Sequence, residues 1–256
     1  MGIAIRNAVE VDKIRKAGEL LTRAHELIAE AIRPGVTTLE LDAIAEEFLL
    51  ANGAGLSCKG YKGFPKAICT STDDIVVHGI PSAAVVLEEG QIIGIDFCAS
   101  YMGYHADMAR TYAVGKVGRN RLRLIEAVEK AFGEAVKVIK HGARVGDISA
   151  AIQAVAEEYG FSPVRAMVGH GIGRRMHEDP VIPNYGVAGR GQKILAGNVL
   201  AVEPMFNTGG HEVKYDGDGW TCRTKDGGDS AHYENTVVVT ENGCELLTGI
   251  KKEQRL

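Results

Sequence analysis

The sequence predicts an α+β protein made of two similar halves, each a pair of helices followed by apolar strands. Three observations carry this. Apolar residues recur at helical spacing in four separate segments, those segments come in pairs, and strand-forming runs follow each pair instead of alternating with single helices. The expectation is one domain spanning residues 1–256, with halves of approximately 1–118 and 119–256 arranged around a mainly antiparallel sheet.

From about Val9 to Ile32, the residues Ile14, Ala17, Leu20, Leu21, Ala24, Leu27, Ile28 and Ala31 form one apolar face, and Pro34-Gly35 ends the run. Thr37-Thr38-Leu39-Glu40 has the form of a capping box, so a second helix is expected from Thr38 to about Ala51, before Asn52-Gly53. A helix from about Leu122 to Ile139, a Gly/Arg turn and a helix from Asp147 to Tyr159 repeat the arrangement. Ile44-Ala45-Glu46-Glu47-Phe48 and Val155-Ala156-Glu157-Glu158-Tyr159 also read alike, each after a similar turn. This pattern points to an internal duplication. No Pro/Ser-rich linker separates the halves.

Composition excludes several classes of function. A net charge of −4 without a Lys/Arg cluster argues against nucleic acid as substrate and against an anionic membrane surface, and leaves association with the ribosome open. The five cysteines are an odd set with no Cys-x-x-Cys pair, which fits neither a disulfide framework nor a structural zinc site. A reducing cytoplasm is the expected compartment. The first residues run into a charged amphipathic segment with no apolar signal core, and no run is long enough for a membrane helix. Nothing demands a partner chain, so a monomer is expected.

The chemistry is carried by acidic residues in apolar surroundings. Asp96 interrupts the strand-like run Gln91–Cys98, and a turn near Tyr101-Met102-Gly103 returns the chain through Asp107 toward Val114. The two aspartates are expected to face each other on the same side of an antiparallel pair. Two buried carboxylates repel, and the pair implies a metal or a shared proton. Glu203 ends the apolar run Val199–Val202, and Glu234 precedes Thr236-Val237-Val238-Val239. His170 lies in the glycine-rich stretch Val168–Gly173, where small residues let backbone and substrate approach closely. Four carboxylates and one neutral imidazole carry a charge of about −4, which two divalent cations neutralise. Oxygen-rich ligation with one nitrogen suits Mn, Fe, Co or Zn and does not choose among them.

These residues sit in a set of motifs: Val77-His78-Gly79-Ile80-Pro81, Asp96 with Asp107, Gly169-His170-Gly171-Ile172-Gly173, His177-Glu178-Asp179-Pro180, Val202-Glu203-Pro204-Met205 and Tyr233-Glu234-Asn235-Thr236. Over nearly its full length the chain resembles the short type I methionine aminopeptidases of bacteria. The resemblance implies the pita-bread fold with two pseudo-symmetric halves, and hydrolytic removal of the N-terminal methionine from nascent polypeptides whose second residue is small. It implies that Asp96 binds one ion, that His170 and Glu203 bind the other, and that Asp107 and Glu234 bridge both. Glu203 would also handle the proton, His177 would stabilise the oxyanion, and His78 would contact the amide side of the scissile bond. The same resemblance builds a methionine pocket from Cys58, Tyr61, Phe64, Cys69, Trp220 and Met176, where sulfur meets aromatic rings.

Three positions depart from the family pattern. Met176 stands where phenylalanine is usual, Met108 replaces a hydroxyl residue beside Asp107, and His232 replaces glutamine or another polar residue before Tyr233-Glu234. The first is expected to relax the pocket and the other two to retune metal affinity. Proline-directed peptidases of the same fold share the ligands but usually carry an extra domain ahead of the first helix, so methionine release is expected instead. A binding protein that had lost catalysis would show degenerate ligands, and all five are present.

Overall fold

A computed structural model of the chain describes residues 2–249; residue 1 and residues 250–256, the two ends of the expected domain, lie outside the described residues. The α+β class is as expected. Helix α1 (Ala8–Ala31) begins at a reciprocal cap in which Asn7 Oδ1 accepts the Glu10 N–H (3.0 Å) and Glu10 returns a bond from the Asn7 N–H (3.1 Å). Helix α2 (Thr38–Ala51) starts at the capping box formed by Thr37 and Glu40. Both bounds follow the sequence reading closely.

Helices α3 (Arg119–Val138) and α4 (Val145–Tyr159) each begin earlier than expected. The first turn of α3 is Arg119-Asn120-Arg121, which carries no apolar periodicity to mark it. In α4, Asp147 is the third helical residue and not the first, because its carboxylate reaches back to the Arg144 N–H (2.8 Å). Gly160, in the left-handed conformation at φ 74°, closes α4.

Among the described residues the main sheet has nine strands. Its path runs Gly55–Leu56, Ile92–Tyr101, Tyr104–Ala113, Glu234–Val239, Val199–Val202, Val168–Gly171 and Glu178–Pro183, with Cys69–Thr72 on the second strand and Cys244–Leu246 on the fourth. All of these pairings are antiparallel. Strands more than a hundred residues apart in the sequence meet where Glu234–Val239 pairs with Tyr104–Ala113. Helix α1 lies along the central hairpin, and Ile14, Leu21 and Ile28 share a core with Ile93, Ile95 and Phe97. Helices α3 and α4 bury Leu124, Val128, Ile148 and Ile152 with Leu200, Val202 and Val237. Because strand residues alternate, sending Ile95 and Phe97 toward α1 leaves Asp96 and Cys98 on the opposite face. Among the described residues no helix is long and apolar enough to cross a membrane.

The central hairpin corrects one expectation. Its turn is Met102-Gly103, both at positive φ (48° and 76°), and Tyr101 pairs with Tyr104. Asp96 therefore lies opposite Ala109, and Asp107 opposite Cys98. The aspartates share a face as expected, but they are diagonal neighbours and not directly opposed. The diagonal leaves room between them.

One buried histidine sits behind this hairpin. The His25 ring of α1 stacks on Phe97 (centroids 4.5 Å apart), and its Nε2 lies 3.0 Å from Met108 O. Burial, with Arg110 nearby, lowers its pKa from 6.5 to about 3. A base depressed in the folded state stabilises fully above its unfolded pKa, and that stability is lost as pH falls toward the folded value. Urea titrations of His25→Gln between pH 6.5 and 3 should lose stability less steeply than the parent, by up to about 1.4 kcal/mol per pH unit. Equal slopes would remove His25 from the acid response.

Candidate metal centre

The acidic residues converge because four strands deliver them to one place. Asp96 and Asp107 come from the central hairpin, Glu234 opens the neighbouring strand, Glu203 follows Val199–Val202, and His170 lies in Val168–Gly171. His170 Nε2 is 3.5 Å from Glu203 Oε1 and 3.7 Å from Asp107 Oδ2. Ligand atoms of Asp107, His170 and Glu234 all lie within 4.8 Å of one another. Strand Val168–Gly171 can sit this close to its neighbours because a Cβ at Gly171 would meet Asp179 O at 1.9 Å.

Electrostatics mark the cluster as a cation site. Burial raises the carboxyls of Asp96, Glu203 and Glu234 well above the usual range, and repulsion from Asp107 adds to it in each case. Burial also lifts Asp107 from 3.8 to about 6. Glu234 Oε1 is buried with no hydrogen-bond partner among the described residues. His170 is pushed down to about 4 by burial and by His177, so its ring is neutral. Its Nδ1 lies 2.9 Å from Gly171 O; donation there leaves the Nε2 lone pair facing the carboxylates. Crowded buried carboxylates and an oriented imidazole fit divalent ions with oxygen-rich coordination.

Several side chains hold the ligands from behind. Thr236 Oγ1 accepts the Asp107 N–H (2.8 Å) and donates to Asp107 O (2.9 Å). Arg110 donates to Glu234 O and to Asn235 Oδ1 (2.7 Å), and its guanidinium lies 3.8 Å over the Tyr233 ring. His232 Nε2 sits 3.8 Å from both Glu203 Oε2 and Glu234 Oε2, buried and, among the described residues, without a hydrogen-bond partner. Of the three departures, His232 thus touches the centre most directly. Met108 is fully buried on the α1 side, where Thr22 Oγ1 approaches its sulfur at 3.8 Å.

A cavity of about 300 Å³ opens from the aspartates. Every residue nominated for the pocket lines it: Cys58, Tyr61, Phe64, Cys69, Met176 and Trp220, together with His78, His177, Asp96 and Asp107. His170, Glu203 and Glu234 adjoin it through Asp107 and through the His170–His177 ring contact at 4.4 Å. Phe64 meets Trp220 edge-on at 5.1 Å, and Trp220 meets His78 at 6.2 Å. His78 is held at φ 62°, a strained value for a residue with a side chain, and burial lowers its pKa to about 4. His177 Nδ1 bonds the Tyr61 hydroxyl at 3.0 Å. Cys98 and Lys62 also line the cavity. A wider groove of about 720 Å³ at the α3–α4 turn has only Asp147 and His141 as ligand types and brings no carboxylates together.

Sequence reasoning did not nominate Arg110, Thr236 or Asn235. The available signals were an arginine inside the buried strand Tyr104–Ala113 and the place of Asn235 and Thr236 directly after Glu234.

Comparison with known proteins agrees with this geometry. Residues 12–241 match the model of metallopeptidase family M24. The chain is 48% identical to a methionine aminopeptidase of Clostridium perfringens over 249 residues, 97% of this chain and 100% of that one. The crystal structure of a methionine aminopeptidase from Thermotoga maritima superposes with a TM-score of 0.95 at 40% identity, covering 97% of this chain and 100% of its own. An X-Pro aminopeptidase from the same organism is less similar, with a TM-score of 0.76 and 26% identity, and the match spans 62% of its length. The pita-bread fold expected from the motifs is thus shared with both. With carboxylates and histidine gathered at one end of a sulfur- and aromatic-lined cavity, the chain belongs to metallopeptidase family M24 and groups there with the methionine aminopeptidases.

Proposed function

We propose that this methionine aminopeptidase removes the initiator methionine from nascent polypeptides whose second residue is small, using two divalent ions. The observation that carries the reading is the single cavity in which the pocket residues, both histidines and the aspartate pair meet. Asp96 would hold one ion, His170 and Glu203 the other, and Asp107 and Glu234 both. When bound, the ions supply an activated water and Lewis-acid polarisation of the scissile carbonyl. Cobalt, manganese, iron and zinc all suit the donor set.

The chain's own residues do the rest. The methionine side chain enters between Phe64, Trp220, Tyr61 and Met176, where its thioether meets aromatic faces and the thiols of Cys58 and Cys69. This seats the free α-amino group at the carboxylate end and restricts cleavage to the first peptide bond. Glu203 takes the proton from the attacking water and returns it to the leaving amine; its raised pKa suits a group that must hold a proton between steps. With Tyr61 donating to Nδ1, His177 carries its proton on Nε2 and presents it to the carbonyl oxygen as negative charge develops. His78, neutral and fixed beside Trp220, contacts the amide side.

The halves 1–118 and 119–256 act as one duplicated catalytic unit. Support comes from the matching helix pairs and from a site that takes the aspartates from the first half and His170, Glu203 and Glu234 from the second. Five unpaired thiols suit the cytoplasm, a nascent-chain substrate would be met at the ribosome, and a site built from one chain is consistent with a monomer.

Release of methionine from Met-Ala-Ser, without cleavage of an X-Pro dipeptide, is the expected activity; the reverse preference would refute the assignment. Glu203→Ala should lose turnover by about 10³-fold or more, since a ligand and the proton carrier go together. Tyr61→Phe should lower kcat by about tenfold with KM little changed, whereas an unchanged kcat would separate Tyr61 from the work of His177.

Metal should also stabilise the fold. Manganese added to metal-free protein at pH 7.5 should raise the melting temperature by about 5 to 10 °C, and Asp107→Asn should lose most of that gain. An acid whose folded pKa is raised destabilises the metal-free fold as pH rises, here from about 4 to about 6 for Asp107. The increment from metal should grow over the same window; a pH-independent increment would contradict it.

A further inference from the structure

The segment ahead of α1 crosses the loop that carries Met176 and His177, and one of its side chains enters that loop. Its backbone is anchored before Val199–Val202, where the Arg6 N–H donates to Gly197 O (2.8 Å) and Asn198 Nδ2 donates to Ala4 O (2.9 Å). From there the Arg6 guanidinium pairs with Glu178, the residue after His177, and the two side chains are only 8% and 9% exposed. The other oxygen of Glu178 accepts the Arg175 N–H at 2.9 Å, which closes a turn around Met176 and His177. Gly173, at the start of the loop, lies so near the guanidinium that a Cβ there would come within 2.5 Å of Nη2. Glu10 on α1 flanks Arg6 at 4.0 Å, is within 3.5 Å of Arg174, and accepts the Tyr104 hydroxyl (2.6 Å).

None of these groups reaches the cavity, and the chemistry above uses none of them. An exposed pair of this kind would do little. A buried pair is different: removing either charge leaves the other out of water, and the loop must move to re-expose it. The geometry assigns Arg6 the part of a positioning residue, an N-terminal strap that sets His177 against the scissile carbonyl and Met176 against the methionine side chain. This rests on the role given to His177 above. Rate and choice of first residue therefore both depend on a side chain in the segment ahead of α1.

The test uses the full-length, manganese-loaded enzyme. Arg6→Gln, Glu178→Gln, their combination, His177→Ala and His177→Ala with Arg6→Gln are compared on Met-Ala-Ser and Leu-Ala-Ser, with melting temperature measured alongside. Arg6→Gln should lower kcat by about 10- to 100-fold with KM changed less than about threefold, the range expected of a displaced catalytic group. Its preference for methionine over leucine should narrow, the paired amides should recover part of the rate, and Arg6→Gln should cost little more once His177 is gone. If Arg6→Gln does not fold, Gly173→Ala, which intrudes on the guanidinium from the loop side, should give the same kcat and selectivity changes. A lower melting temperature with kcat and preference intact, while His177→Ala is impaired, would overturn the strap alone. Full turnover in His177→Ala would overturn the role of His177 and the strap with it.

Discussion

Withdrawing Asp96, Asp107, Glu203 and Glu234 from water around His170 costs several kcal/mol for each ionised group unless opposite charge is supplied. Among the described residues the one cation packed behind them, Arg110, spends its donors on Glu234 O, Ala109 O and Asn235 Oδ1, not on the carboxylates. The protein thus leaves the carboxylates' charge to be met from outside, and divalent ions meet it. Metal on this account supplies the charge that this centre requires as well as serving as its reagent, and the metal-free fold is the less stable one.

That requirement explains the division of labour in the chain. The residues proposed as ligands lie on or beside strands of one sheet, whose register is fixed by backbone pairing and by clamps such as Thr236 on Asp107. The residues proposed to meet substrate, His78, His177, Tyr61 and Trp220, lie off the long strands, where Tyr61 bonds His177 and Trp220 packs edge-on against His78 and Phe64. A rigid centre with adjustable walls suits an enzyme that must fix one carbonyl and admit many polypeptides. Met176 and His232 then act at different levels, one on the pocket wall and the other against two ligand carboxylates.

The sequence made the helices legible because each of α1 and α2 announces itself twice, by apolar spacing and by a stop at Gly or Asn, and α2 adds a capping box. It was less clear at the start of α3, where Arg119-Asn120-Arg121 is polar throughout, and in α4, where the acidic residue taken for the start is the third residue. The four carboxylates nominated as ligands stood out as acids within or beside apolar runs, and His170 by the glycines around it. The diagonal placement of Asp96 and Asp107 did not, since a two-residue turn differs from a slightly longer one only by backbone geometry at Met102-Gly103. Arg6, Arg110 and Thr236 act across more than a hundred residues of chain, on Glu178, Glu234 and Asp107, and nothing in local pattern records such partners.

The central claim is that this buried acidic cluster exists to hold two divalent cations. Calorimetric titration of metal-stripped protein with manganese measures it directly. The account predicts two ions bound per chain, with both events weakened in Asp107→Asn and only one lost in Asp96→Asn. Saturation at a single ion, or two ions bound unchanged in Asp107→Asn, would contradict it.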